Sequence, residues 1–224
     1  MIKKTLVCLV ICSLTTTVGS ASMTLKMYNS YGTTGGGEFR IEPIDGWTFT
    51  PASLGEVPSL FESFCVEKTE FASFDYTFYA VLNTGAVEGS VGGFDPLDSM
   101  TAYLYDQFIS RSLTGYVYDK VGGTWDARIA SANALQKAIW YIEDEISILP
   151  SEATDFYNAA WDAVHGSSPT WQGLGNIRVL NLYGDREHTQ LRQDQLVKIP
   201  APSAFVLAGI GIGLITKLRR RRIV

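Results

Sequence analysis

The sequence predicts a mixed α+β domain: a strand-rich, sandwich- or barrel-like body with helices inserted between its strands. Strand patterns stand at the beginning and end of the folded segment, three stretches with apolar residues at helical spacing lie between them, and no internal repeat is present. Met23 to Tyr28 and Glu38 to Ile41 read as short strands around a loop, Ser30 to Gly37, rich in Gly and Thr. That glycine run lacks the Lys-Ser/Thr ending of a phosphate-binding loop and reads as a mobile turn. Leu60 to Lys68 and Phe71 to Leu82 read as two more strands, the second rich in aromatics. Asn83-Thr84-Gly85 and Gly89 to Gly93 are turns.

The spacing of Met100, Tyr103, Leu104 and Phe108 predicts a helix over Asp98 to Leu113. Asp126, a residue suited to an N-cap, opens a longer helix to about Ile146. Phe156, Ala160, Trp161 and Val164 share one side of a third helix, Glu152 to Val164. A strand over Ile177 to Tyr183 closes a domain of residues 23–183, and the polar residues 184–199 read as a linker.

Both ends of the chain have a different character. Lys3-Lys4, an apolar run from Leu6 to Leu14 and the small residues Gly19-Ser20-Ala21-Ser22 have the layout of a secretory signal over 1–22, cleaved after Ala21 or Ser22. At the other end, 200–224, Pro200 and Pro202 precede the apolar run Phe205 to Thr216, then Lys217 and Arg219, Arg220, Arg221 and Arg222. That run is shorter than the ~20 residues of a comfortable bilayer span. Snorkelling and local thinning extend its reach, and the arginines favour the cytoplasmic side. The order proline pair, apolar helix, arginine cluster resembles the PEP-CTERM sorting signal of Gram-negative bacteria, with Ala201 where that family usually has glutamate. The resemblance implies an exosortase-type processing protease as a partner and a transient inner-membrane anchor. It implies a final location at the cell surface or in the extracellular matrix.

These ends carry seven of the eighteen basic residues and none of the 23 acidic ones. The intervening 11 basic and 23 acidic side chains give a formal charge of −12, against −5 for the whole chain. Such a surface repels nucleic acid and attracts cationic groups, amines included. Cys8 and Cys12 lie in the leader, so the exported part holds one cysteine, Cys65. An odd cysteine in an exported protein points to intermolecular pairing or a reactive role.

The chain has no Gly-x-Ser-x-Gly elbow, no His-Glu-x-x-His and no Cys-x-x-Cys, and its two histidines, His165 and His188, fall in separate polar segments. No cofactor or metal is implied. On the helix from Asp126, Ile129, Ala132, Leu135, Ile139, Trp140 and Ile142 define an apolar arc, and Gln136 falls inside it. A carboxamide there needs a partner or it costs about 1–3 kcal/mol. One reading is a glutamine hydrogen-bonded to a strand backbone. Cys65, between Phe64 and Val66, reads on its own as an inert buried thiol. The other reading joins the two: the sulfur attacks the carboxamide carbon, ammonia leaves, and an internal thioester remains, provided both groups are held together in a shielded pocket.

Phe64-Cys65-Val66-Glu67 followed by Leu135-Gln136-Lys137-Ala138-Ile139-Trp140 resembles the thioester domains of bacterial surface proteins, over approximately Leu60 to Tyr183. The resemblance implies that Cys65 supplies the sulfur and Gln136 the acyl carbon, with Phe64 and Trp140 supporting the pocket. It further implies a single covalent attachment to amine- or hydroxyl-bearing polymers of a cell surface or matrix, without turnover, because Gln136 is consumed. The best-known members are adhesins of Gram-positive bacteria, whereas this tail looks Gram-negative. The rival readings are a non-covalent carbohydrate- or matrix-binding module using Trp125, Trp161 and Trp171, and a structural surface protein with an inert Cys65.

Overall fold

The structure is a computed structural model and describes residues 23–33, 36–44, 60–70, 73–74, 76–87 and 93–199. The expected leader, 1–22, and the expected sorting tail, 200–224, with Pro200, Pro202 and Arg219 to Arg222, lie outside the described residues. Among the described residues no helix is long and apolar enough to cross a membrane.

The fold is α+β. Six antiparallel strands, β1 (Met23–Asn29), β2 (Phe39–Pro43), β3 (Phe61–Ser63), β4 (Thr77–Asn83), β7 (Ile177–Tyr183) and β8 (Leu191–Lys198), form one sheet in the order β3-β2-β1-β4-β7-β8. The two edges of that sheet meet. Beyond β3 the chain forms an antiparallel bridge between Cys65 and Gln195. The Leu196 and Val66 N–H groups donate to the carbonyls of Phe64 (3.0 Å) and Asp194 (3.1 Å) on either side of it. The sheet thus curls into a barrel, which removes the exposed edges that an open sheet would carry. A small ribbon, β5 (Gly85–Ala86) with β6 (Asp95–Pro96), leads into the helices α1 (Ser99–Ile109), α2 (Asp126–Ile142) and α3 (Thr154–His165).

Strand alternation splits the interior in two. Leu25, Met27, Phe39, Ile41, Phe61, Cys65, Phe78, Leu180, Leu182 and Val197 pack together with Trp140 of α2. Phe64, Val66, Val179 and Leu196 turn the other way and join the apolar faces of all three helices. Asp98 caps α1, its carboxylate accepting the Met100 N–H at 2.6 Å. Asp126 does not cap α2. Trp125 holds that position without a side-chain hydrogen bond, and Asp126 instead puts a negative charge in the first turn, where the helix dipole favours it. The helix ends at Ile142, short of Ile146.

The expected linker over 184–199 is also corrected. Its second half is β8, paired along β7, and Gln193, Asp194 and Gln195 are buried. Its first half is a tight turn in which Asp185 accepts the N–H groups of Thr189 (2.8 Å) and Gln190 (3.0 Å). The folded body therefore runs to Lys198, not to Tyr183.

Candidate functional site

Cys65 and Gln136, 71 residues apart in sequence, meet in the interior with neither exposed at all. Cys65 opposes Gln195 with ladder bonds before and after it but none of its own, so its N–H and C=O face away from β8. On that open side β2 has not yet begun, and α2 inserts the Gln136 carboxamide in place of another strand residue. Gln136 Oε1 accepts from the Cys65 N–H at 3.2 Å, and Gln136 Nε2 donates to the Cys65 carbonyl at 2.8 Å. The Gly37 N–H donates to the same Oε1 at 2.8 Å, and Cys65 Sγ lies 3.3 Å from it. Gln136 is thus bonded to strand backbone and in contact with the thiol at once.

One stripe of α2 builds this arrangement. Arg128, Ala132, Gln136 and Trp140 are spaced by four, so they line up along one face. All four are buried. Arg128 grips the Glu38 carboxylate through Nη2 (2.5 Å) and Nε (3.2 Å). The Tyr116 hydroxyl donates to Glu38 at 2.6 Å, which fixes the residue immediately after Gly37. The neighbouring Asn133 exchanges two bonds with Thr33, its Oδ1 accepting the Thr33 N–H at 3.0 Å and its Nδ2 donating to the hydroxyl at 2.8 Å.

The described parts of the glycine segment are therefore clasped to α2, not a free turn. A Cβ on Gly36 would sit 2.5 Å from Gln136 Cγ and 2.7 Å from the Trp140 ring. One on Gly37 would sit 2.7 Å from the Ser63 carbonyl oxygen. Sequence reasoning missed this segment as part of the site. The available signal was the run Gly35-Gly36-Gly37, since consecutive glycines permit a backbone to approach a neighbour closely.

The two expected supporting residues part company. Trp140 packs in the same cluster as Cys65, and its buried indole N–H has no oxygen or nitrogen partner. Phe64 does not line the pocket. Alternation sends its ring into the helical core, edge-on to Phe108 at 4.9 Å between centroids, where it backs the strand from behind.

Burial pushes the Cys65 thiol up to about 12, against the pull of the Gly37 N–H and the Trp140 indole N–H. The sulfur is held as a neutral thiol, because desolvation disfavours the thiolate. Glu67 adds a smaller push in the same direction.

Elsewhere, Trp125 packs at a tilt on Tyr31 beside Arg128, and Trp171 packs on the helical core. Trp161 is 48% exposed, with its ring between those of Tyr157 and His165. His188 lies against Tyr183 in the β7–β8 turn. Among the described residues no group of three or more His, Cys, Asp and Glu side chains is placed to hold a metal. No family model matches the chain, and neither a curated protein nor a solved structure matches it.

Proposed function

We propose that this chain is an exported surface protein whose Cys65 and Gln136 form an internal thioester, spent once in covalent attachment to an amine or hydroxyl of a surface or matrix polymer. One observation carries the reading: a thiol lies 3.3 Å from the oxygen of a fully buried carboxamide that two backbone N–H groups already polarise. The Cys65 sulfur adds to the Gln136 carbonyl carbon and forms the C–S bond. Negative charge develops on Oε1, where Gly37 and Cys65 supply preorganised donors, the arrangement that most favours acyl transfer. The C–N bond then breaks, the thiol proton passes to nitrogen, and ammonia leaves. The dry surroundings slow hydrolysis of the product. In the attachment step a nucleophile adds to the same carbon, the C–S bond breaks, the proton goes to sulfur, and Cys65 is freed.

The tail resemblance extends the proposal to export, exosortase-type processing and display by a Gram-negative cell. Deleting Phe205 to Arg222 is then expected to release the protein into the medium, while a truncated form still held on the cell would refute the tail as anchor.

Intact-mass measurement on freshly folded protein tests the bond. The wild type is expected to lack the mass of one ammonia, and Cys65→Ala to carry its full sequence mass. A full-mass wild type whose thiol reacts on unfolding without any added nucleophile leaves Cys65 an inert buried residue. The second reading, non-covalent carbohydrate binding, rests on the exposed Trp161 beside Tyr157. It requires that Trp161→Ala abolish retention on a polysaccharide while the Cys65 variant is retained normally.

A further inference from the structure

A second carboxamide belongs to the residue paired opposite Cys65. Cys65 and Gln195 oppose one another as a non-hydrogen-bonded pair, the closer of the two antiparallel types, with Cα atoms about 4.5 Å apart and side chains on the same face. Gln195 is fully buried. Its Nε2 donates to the Gln193 carbonyl at 3.4 Å, and its Oε1 has no hydrogen-bond partner. Gln193 also has a buried, unpartnered Oε1, but a bulge between the Leu180 and Leu182 pairings sets it apart from Gln195, and its Nε2 bonds the carbonyls of Glu67 and Glu70. Buried acceptors without donors are costly. The Gln195 Oε1, opposite the one cysteine among the described residues, is therefore an acceptor that lacks a donor.

The unreacted site shows where a donor nitrogen belongs. Gln136 Nε2 spends one N–H on the Cys65 carbonyl, and its second N–H has no acceptor among the described residues. By microscopic reversibility, the nitrogen that opens the thioester takes the place of the one that left. A primary amine arrives with two N–H bonds and a lone pair. An alcohol brings one O–H bond, and water, which brings two, gives one up to a base as it attacks, whereas a neutral amine adds with both N–H bonds intact. The terminal torsion of a glutamine is soft, so Gln195 Oε1 can follow the nitrogen.

We propose that Gln195 is a specificity-determining residue: its carbonyl oxygen and that of Cys65 together hold the two N–H bonds of a primary amine at the Gln136 acyl carbon, so that amines outcompete water and alcohols. The inference rests on the thioester reading and names the nucleophile that it prefers. The step is balanced: nitrogen bonds to the acyl carbon, the C–S bond breaks, one amine proton passes to sulfur, and the products are a secondary amide on residue 136 and a free Cys65 thiol. Gln195 does not itself compete as acyl donor, because no N–H polarises its oxygen.

The test is a partition measurement on the full chain. Thioester-bearing protein is exposed to methylamine in water, and the ratio of methylamide to hydrolysed acid is read by intact mass. A general loosening of the pocket changes both products together, whereas loss of the acceptor changes their ratio. Gln195→Leu is expected to lower the methylamide share about tenfold, the worth of one hydrogen bond. Gln195→Glu, which keeps an acceptor oxygen, is expected to retain it. Gln195→Met serves the same purpose if the leucine variant misfolds. An unchanged ratio in a thioester-bearing Leu or Met variant overturns the assignment of Gln195 alone. Failure of both variants to form the thioester overturns it too, by making Gln195 a structural requirement of the site. A wild type of full sequence mass defeats the thioester itself, and the subsite with it.

Discussion

Gly36 and Gly37 contribute no side chain to the site, yet the carboxamide reaches Cys65 only because both are glycine. With a Cβ on Gly36 only 2.5 Å from Gln136 Cγ, Gly36→Ala must push the glutamine or the Trp140 ring aside. Overpacking of this kind costs about 1–3 kcal/mol. Moving the carboxamide also takes Oε1 away from the two N–H groups that would stabilise charge on it. Gly36→Ala is therefore expected to lower the urea midpoint and to leave the protein at full sequence mass, without loss of ammonia. A variant that is destabilised but still loses ammonia would show that the close fit serves packing only. The two residues of the proposed thioester were legible in the sequence: Gln136 as a polar intrusion in an apolar arc, and Cys65 as the one cysteine outside the expected leader. The glycines were not, because what they supply is a backbone N–H and an absent side chain, and neither leaves a pattern of its own.

At the scale of elements, the Glu38–Arg128 pair ties the start of β2 to the first turns of α2 and so sets the register between the Gly37 donor and Gln136. Both side chains are almost completely withdrawn from water. Removing one partner of a buried pair costs about 3–5 kcal/mol, because the other charge is left without compensation. Arg128→Met is expected to lose that much in equilibrium unfolding, and adding Glu38→Gln is expected to recover part of it by removing the stranded charge. No recovery in the double variant would mean that Arg128 acts through the buried Glu62 carboxylate, 3.9 Å from Nη2, or through its packing on the Tyr31 ring, 4.0 Å from the guanidinium. The helices were readable from apolar spacing, with errors confined to their ends. The last strand was not. Gln193, Asp194 and Gln195 sit in the middle of β8, so its composition is that of a linker. They are buried because distant backbone groups receive them, the carbonyls of Glu67 and Glu70 for Gln193 and the N–H groups of Val87 and Leu182 for Asp194. Those partners come from tertiary closure, which a local pattern does not contain.

For the whole molecule, closing the barrel and docking the helices on it buries carboxyl groups. Glu143, after the last turn of α2, accepts the Asp98 N–H at the start of α1 at 3.2 Å. Burial pushes it up to about 8, with Asp98 and Asp95 adding to the rise and the Asp98 N–H opposing it. Beside β8, burial and then the nearby Asp194 raise Glu67 to about 9. Burial likewise raises Asp194, to about 7, although the Val87 N–H, Asn181 and the Leu182 N–H pull the other way. With three donors on it, Asp194 is the partner that carries charge, and Glu67 holds the proton. Each of these groups has a folded pKa above its unfolded value, so over the interval between the two the folded state binds more protons than the unfolded state. Stability is then fully present below the unfolded value, near 4.5 for the glutamates, and is lost as pH rises through the folded values. The urea midpoint is expected to be higher at about pH 5 than at about pH 9 with the m-value unchanged, which corresponds to an unfolding free energy larger by an amount on the order of a few kcal/mol. Glu143→Gln should flatten that slope by removing one titrating group while keeping an acceptor for the Asp98 N–H. A midpoint that climbs from acid to alkali would require these carboxyls to be ionised and paired in the folded state, contrary to the desolvation that surrounds them.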